Sequence, residues 1–382
     1  METPAPRSLS RDERLDWLRL IRTENVGPIT FRQILTRFGS VAAALEALPE
    51  LARRGGRRRP ITVCSKATAE RELAEVEAIG ADLIALIEPD YPQALAALED
   101  APPLLSCFGH AHLFQHKIIG IVGARNASAN GRRLTHQIAA DLGKAGLLVA
   151  SGLARGIDAA AHEGALDTGT AAVVAGGVDV IYPAENTALY EEIKARGVII
   201  SEMPPGTVPV ARHFPRRNRL ISGISLGVLV VEAAPRSGSL ITARCALDQG
   251  REVFAVPGSP LDPRARGCNN LIRQGAVLIE SAADVLDALE GPLITPAREP
   301  AGPEFPGPAP TSPDESELAS ARAVVEELLG PTPVAVDEVI RQCQVSAAVV
   351  HMVLLEMELA GRAERHPGNR VALIAGSLVE VP

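Results

Sequence analysis

The chain has 382 residues, enough at about 150 per domain for two to three domains and at least one fully buried core. Apolar residues make up 46% of it, yet they come in short runs broken by Gly, Pro or charge, none near the roughly 18 uninterrupted residues of a membrane-spanning helix. A net charge of −8 excludes a uniformly basic nucleic-acid coat but not local basic clusters, and an aromatic content of 3% weighs against a surface built mainly on base stacking.

The start, METPAPRSLSRDERLDW, is polar and lacks the apolar core and small-residue cleavage site of a secretory signal, so the expectation is a cytoplasmic protein with no membrane partner. The five cysteines, Cys64, Cys107, Cys245, Cys268 and Cys343, are odd in number and scattered, with no C-x-x-C pair and no His at ligand spacing. They support neither a disulfide framework nor a metal site.

Residues 11 to 55 read as short helices, with Leu15, Leu18 and Ile21 on one face, a break at Val26-Gly27-Pro28, and a resumption at FRQILTRF. This order resembles a helix-hairpin-helix or SAM-like unit, whose turn can offer N–H groups to a phosphate. It equally fits a plain αα corner. Arg53, Arg54, Arg57, Arg58 and Arg59 beside Gly55 and Gly56 form a basic run, most simply a solvated loop, with a phosphate-facing loop as the alternative.

From Lys117 the pattern changes to short, continuously apolar, β-branched runs alternating with helical stretches: KIIGIVG, LLVASG, AAVVAGG, GVIISE, LGVLVVEA, REVFAVPG and AVLIE. Strands of that kind are buried on both faces, which predicts a parallel, doubly wound α/β sheet. The segment from Ala67 to Gly109, with its strand-like ADLIALI, is expected to add elements at the edge of that sheet. Residues 291 to 316 are dense in Pro without an apolar period and read as an extended linker. Beyond it, three helical stretches and two short strands around Pro367-Gly368-Asn369 follow the winged-helix order. The expected domains are therefore 1–60 (helical), 61–290 (Rossmann-like), 291–316 (linker) and 317–382 (winged helix).

Ligands of open parallel sheets bind beyond the carboxyl ends of the strands. Those ends are small and polar here: Val122-Gly123-Ala124-Arg125-Asn126-Ala127-Ser128, then Ser151-Gly152-Leu153-Ala154-Arg155-Gly156-Ile157-Asp158, then Gly176-Gly177, Ser201-Glu202, and Glu232 followed by Ser237-Gly238-Ser239 opening a helix. Such ends let backbone N–H groups and helix starts approach an anion, with Arg125, Arg155, Arg212, His213, Arg216, Arg217 and Arg219 as counter-charge. A chain of phosphates is the natural ligand. Asp158 and His162 read as a structural cap and a helix-face histidine in preference to catalytic groups.

Several engines are missing. Gly120-x-x-Gly123 is not G-x-G-x-x-G, no acidic residue about 20 positions on ends a second strand, and there is neither a G-x-x-x-x-G-K-[ST] loop nor a G-x-S-x-G elbow. No nicotinamide cofactor, nucleotide cofactor or catalytic residue is expected.

The stretches VGARNASANG (122 to 131), SGLARGIDAAAHEGAL (151 to 166), YPAEN (182 to 186), ISEMPPG (200 to 206), FPRRNRLISGIS (214 to 225), VVEAAPRSGSLITA (230 to 243), VPGSP (256 to 260) and GCNNLIRQGA (267 to 276) together resemble the DprA/Smf family, DNA-processing protein A, in its three-domain form. The resemblance implies an extended Rossmann-like domain that binds single-stranded DNA and loads a RecA-type recombinase onto it during natural transformation, without being an enzyme. It implies DNA contacts from Gly123, Arg125 and Ser128, from Ser151, Gly152, Arg155 and Gly156, and from Arg216, Arg217, Asn218 and Arg219. Ser237, Gly238 and Ser239 join them as a phosphate-facing helix start. Some members place a basic residue shortly after the Tyr-Pro pair, where this chain has Ala184 and Glu185; Arg217 or Arg219 are the expected substitutes.

Two rival functions remain at this point. One is a nucleotide or sugar-phosphate enzyme with Glu232 as base. The other is a transcription regulator reading DNA through the winged helix, which would need a basic recognition helix; SAAVVHMVLLEMELAG has Glu356 and Glu358 as its only formal charges and is expected to face protein, either the α/β domain or a partner. A homodimer is expected, with Val253 to Val256 and Ala276 to Ile279 as candidate interface.

Overall fold

The computed structural model describes residues 7–57, 59–290, 315–366 and 368–374. The stretch 291–314, Arg58 and Pro367, on which the sequence reading drew, lie outside the described residues. Chain contacts divide the protein into two compact units, residues 7–10 with 70–290, and residues 11–69 with those from 315 onward.

In chain order the first helices are α1 (Arg11–Ile21), α2 (Pro28–Phe38) and α3 (Val41–Arg54). Pro28 opens α2, where a missing N–H costs nothing, and Gly39 at φ +70° closes it. Ser40 caps α3 by accepting from the Ala43 N–H. Helix α4 (Lys66–Ala78) then leads into the α/β unit, which contains β1 (Asp82–Ala85), α5 (Gln93–Ala96), β2 (Leu104–Gly109), β3 (Ile118–Gly123), α6 (Ala129–Lys144), β4 (Leu148–Ser151), α7 (Ile157–Ala165), β5 (Thr170–Val173), α8 (Thr187–Arg196), β6 (Val198–Ser201), α9 (His213–Ile224), β7 (Gly227–Val231), α10 (Ser239–Asp248), β8 (Glu252–Ala255), α11 (Arg266–Arg273), β9 (Val277–Leu278) and α12 (Ala282–Glu290).

The strands form one sheet in the order β1-β2-β6-β5-β4-β3-β7-β8-β9. From β6 to β9 every pairing is parallel; β2 runs antiparallel to β6 and β1 antiparallel to β2. The doubly wound expectation therefore describes the sheet from β6 onward, and the early segment supplies a two-stranded antiparallel edge. Alternate residues divide between two cores. Ile118, Val122, Val228 and Val230 join one hydrophobic cluster, while Ile119, Ile121, Leu229, Val231 and Phe254 join the other. Period-two alternation with both faces apolar is what the unbroken β-branched runs encode. Truncating a fully buried member such as Ile121 to Ala should cost about 2–5 kcal/mol.

After β3 the chain winds outward through β4, β5 and β6, then returns to the far side of β3 as β7 and proceeds to β8 and β9. The winding direction reverses between β3 and β7, which places the ligand crevice at their carboxyl ends.

The second unit adds α13 (Glu315–Leu328), β10 (Val334–Ala335), α14 (Val336–Cys343), α15 (Ala347–Leu359), β11 (Ala363–His366) and β12 (Arg370–Leu373) to α1–α3, with a sheet ordered β10-β12-β11. Helix α15, in the recognition-helix position, is buried from Val349 to Leu359 apart from His351. Its cover comes from α13, whose Arg322 donates to Glu356 Oε2 at 2.8 Å, and from the N-terminal helical segment. Thr30 of α2 donates to Glu358 Oε2 at 3.0 Å, Asn25 donates to the Leu359 carbonyl at 3.2 Å, and a Cβ on Gly55 after α3 would sit 1.9 Å from the Glu356 carbonyl. The apolar and acidic helix does face protein, as its composition requires: helices of its own unit, α13 together with the N-terminal α2 and α3. Among the described residues no single helix is long and apolar enough to cross a membrane; α14 and α15 reach that length only as a pair bent by 120°.

Candidate nucleic-acid interface

At the reversal point lies a cavity of about 920 Å³ lined by residues that include Gly123, Arg125, Asp158, Tyr182, Phe214, Arg217, Asn218, Arg236, Ser237, Gly238, Ser239 and Arg264. A second, of about 340 Å³, is lined in part by Arg125, Gly152, Arg155, Tyr182, Glu185, Phe214 and Arg217. The two share Arg125, Ala154, Tyr182, Phe214 and Arg217, so they form one crevice with two lobes.

Small residues stand where backbone or cation must approach. A Cβ on Gly123 would lie 1.9 Å from the Val231 carbonyl, and one on Gly152 would lie 2.0 Å from Arg217 Nη1. Gly156, at φ +81°, brings its backbone against the Ala124 carbonyl, which the Ile157 N–H then bonds at 3.2 Å. These contacts lock the loop after β3 to the loop after β4.

Arg125 is exposed at the crevice and makes no hydrogen bond or ion pair with any described residue; its guanidinium lies 5.3 Å from the Phe214 ring centroid. Phe214 and the half-exposed Tyr182 meet at 5.8 Å between centroids. Such a rim has a cation beside one ring face and a second ring tilted against it, which suits a phosphate next to a base. Composition had weighed against stacking, yet two of the few aromatic residues converge here. The signal lay in the order Tyr182-Pro183 and Phe214-Pro215, which global percentages hide.

Arg217 is buried, donates from Nη1 to the Val173 carbonyl at 2.6 Å, and keeps an Nε–H without a partner. Burial brings its pKa down to about 10, against the pull of Asp158. Asp158, buried as well, accepts from the Ala154 N–H at 3.2 Å; burial raises its pKa and Arg217 opposes the rise. Asn218 donates to the Gly238 carbonyl at 3.3 Å and so aligns the start of α10, where Ser237 and Ser239 share a 2.7 Å hydroxyl contact.

Other predicted residues have their polar atoms engaged elsewhere. The Ser151 hydroxyl is fully buried and donates to the Ile121 carbonyl. Ser128 caps α6, accepting from the Gly131 N–H at 2.9 Å, while its own N–H and hydroxyl donate to the two carboxylate oxygens of Glu232. Arg219 donates to Glu202 at 2.6 Å and to the Asp100 carbonyl at 2.6 Å, and Arg216 pairs with the other Glu202 oxygen. Arg219 therefore does not substitute for a basic residue after Tyr182-Pro183. Arg155 stands 3.5 Å from Glu185, both more than half exposed. Arg236 and Arg264 line the main lobe without having been singled out. Glu232, the candidate base of the enzyme reading, has both oxygens occupied by Ser128, and it occupies the end of α6 where a doubly wound fold seats a dinucleotide's phosphate.

His162 is an internal group. Its Nδ1 meets the Thr170 hydroxyl at 2.8 Å; Thr170 in turn donates to the Val149 carbonyl, so the ring N–H is on Nδ1 and Nε2 is left buried without a partner. Burial brings its pKa down to about 3, with Arg217 adding to the effect.

Comparison with known proteins matches this architecture segment by segment. The family model for DNA recombination-mediator protein A covers residues 82–290, that for a DprA-like N-terminal HHH domain residues 11–74, and that for a DprA winged helix domain residues 308–369. Protein Smf of Synechocystis sp. is 33% identical over 95% of this chain and 99% of its own length. The crystal structure of DNA processing protein A from Streptococcus pneumoniae superposes with a TM-score of 0.60 at 33% identity, covering 73% of this chain and 98% of that one. The protein of the same name from Helicobacter pylori, described for its single-stranded DNA binding mode, gives 0.51 at 29% identity over 55% of this chain and 95% of its own. With all three segments matched in order around a crevice built from the quoted motifs, the chain belongs to the DprA/Smf family of DNA recombination-mediator proteins.

Proposed function

We propose that the crevice between β3 and β7 binds single-stranded DNA and that the protein passes the strand to a RecA-type recombinase in natural transformation, acting as a mediator and not as an enzyme. The observation that carries this is the unpaired Arg125 guanidinium set against Phe214 and Tyr182 at the rim of a cavity whose floor is the start of α10. Phosphates neutralised by Arg125, Arg217 and Arg236 and bases laid on the rings would use both chemistries at once. The H. pylori relative's single-stranded DNA binding supports the same reading. Fluorescence anisotropy tests it: an oligodeoxythymidylate of about 20 nucleotides should bind at least about a hundredfold more tightly than thymidine monophosphate. Equal affinity, or turnover of the mononucleotide, refutes it; recombinase assembly on coated DNA with and without the protein tests the loading step.

The same reading includes a homodimer. Of the two segments named for its interface, Val253, Phe254 and Ala255 are buried between β7 and β9, which removes them as a surface. Val277 and Leu278 on the edge strand β9 are 36% and 45% exposed, leaving unpaired backbone beside apolar side chains, a pattern that favours strand-edge association. Sedimentation showing monomer alone at micromolar concentration, with and without DNA, refutes the dimer.

A further inference from the structure

The loop carrying Arg125 must itself be held, and the residues that close β7 hold it at both ends. Between the end of β3 and the cap of α6 the chain runs Ala124-Arg125-Asn126-Ala127-Ser128. The first of these is fixed by its N–H to the Val231 carbonyl at 3.3 Å, and the last by Glu232, which accepts from the Ser128 N–H at 2.8 Å and from the Ser128 hydroxyl. Two successive residues at the end of one strand thus grip both ends of the loop.

The grip has two marks of a built arrangement. Glu232 takes φ +52°, a backbone region that side-chain-bearing residues seldom occupy. A Cβ at Gly131 would lie 2.7 Å from the Glu232 carboxylate, so α6 has a glycine in its first turn where the carboxylate comes in. The charge also reaches Arg264, itself paired with Asp262, on the crevice wall.

We propose that Glu232 is a positioning residue for DNA binding: by clamping Ser128 it holds the loop that sets Arg125 against Phe214. The proposal rests on the crevice being the DNA site. It makes a prediction of unusual sign. A carboxylate beside a polyanion repels it, so simple charge removal by Glu232→Ala should tighten DNA binding; loss of a positioning group should weaken it.

The test is anisotropy with fluorescent oligodeoxythymidylate over a range of salt concentrations, combined with hydrogen exchange at the Ser128 amide. Glu232→Ala is expected to lose affinity by about tenfold, with a salt slope lower by about 0.7, as for the loss of one phosphate contact. In an Arg125→Ala background it should add less than about twofold, because the two substitutions remove the same contact. Glu232→Gln, which keeps an acceptor for the Ser128 N–H, should recover most of the binding, and exchange at Ser128 should speed up in the Ala variant only. Should Glu232→Ala fail to fold, Ser128→Ala removes the hydroxyl half of the clamp, leaving the backbone N–H bond to Glu232, and should lower affinity in the same direction by a smaller factor, with faster exchange at the residue 128 amide. Unchanged or tighter binding by a folded Glu232→Ala, or a loss fully additive with Arg125→Ala, overturns the proposal. Failure of the unmodified protein to bind the oligonucleotide overturns instead the function on which it rests.

Discussion

The buried ring of His162 should make the α/β unit sensitive to acid in a way that can be computed. Its folded pKa of about 3 lies below the ordinary 6.5, so between those values the unfolded chain binds the proton and the folded chain does not. Stability from this group is therefore present above the unfolded value and is lost as pH falls toward the folded one. By pH 5 the loss relative to pH 7 amounts to about 2 kcal/mol. Asp158 acts in the opposite sense, since its pKa is raised by burial and its contribution grows as pH falls. A difference between two proteins that both retain Asp158 removes that background. His162→Asn keeps a donor for the Thr170 hydroxyl and removes the titration. Urea unfolding followed by circular dichroism at pH 7 and pH 5 should show the unmodified protein losing about 2 kcal/mol more than the variant. The single Trp17 sits in the other unit, its ring tilted against Phe31 with centroids 5.0 Å apart, so its fluorescence reports a transition that should not carry the difference. Parallel pH profiles for the two proteins would refute the assignment of a buried, neutral imidazole.

Arg125→Ala should weaken oligonucleotide binding about tenfold and lower the salt slope by about 0.7, since one phosphate contact goes; an unchanged slope removes Arg125 from the phosphate path. Tyr182→Leu should cost about fivefold in affinity with the salt slope unchanged, the signature of lost stacking as opposed to lost charge, and the same salt titration reads it. In the second unit, Glu358 and Arg365 are 5% and 8% exposed and paired at 2.6 Å, so Glu358→Ala strands a buried cation and should destabilise that unit by about 3 kcal/mol or more. Urea titration of Trp17 fluorescence measures it, and a loss below about 1 kcal/mol would mean that the pair is solvated.

The sheet was legible because strands buried on both faces must be apolar at every position, and each of the seven runs from KIIGIVG to AVLIE became a strand of its parallel part. The location of the crevice was legible for a related reason: close approach of backbone carbonyls demands Gly123 and Gly156, and close approach of the Arg217 guanidinium demands Gly152. The fate of individual cations was not read. Arg216 and Arg219 are three apart on α9 and share a face, which meets Glu202, while Arg217 and Asn218 turn toward the crevice. Helical spacing alone divides that run of four, but only the sheet tells which face has an acid waiting. Helix α15 shows a different limit. A helix apolar on all sides must be covered on all sides; α13 supplies one side, but the rest comes from helices some 300 residues earlier in the chain, as the separation of 328 between Thr30 and Glu358 shows.

A chain of net charge −8 binds a polyanion only if the acids near the crevice are neutralised locally. Most of them are: Glu202 lies between Arg216 and Arg219, Asp158 faces Arg217, and Asp262 pairs with Arg264, while Glu232 keeps its charge and is hydrogen-bonded by Ser128. Glu185 differs, because its partner Arg155 lies 3.5 Å away and both side chains are more than 60% exposed. A pair so exposed contributes at most about 1 kcal/mol to folding, so its chief effect is to withhold Arg155 from an incoming phosphate. Glu185→Ala should therefore leave stability within about 0.5 kcal/mol while raising oligonucleotide affinity about threefold and steepening the salt slope by up to about 0.7 as Arg155 gains a phosphate. Arg155→Ala in the same background should abolish the gain. A Glu185→Ala variant whose affinity and slope match the unmodified protein would show that the strand does not pass the smaller lobe at all, and would confine the DNA path to Arg125, Arg217 and the start of α10.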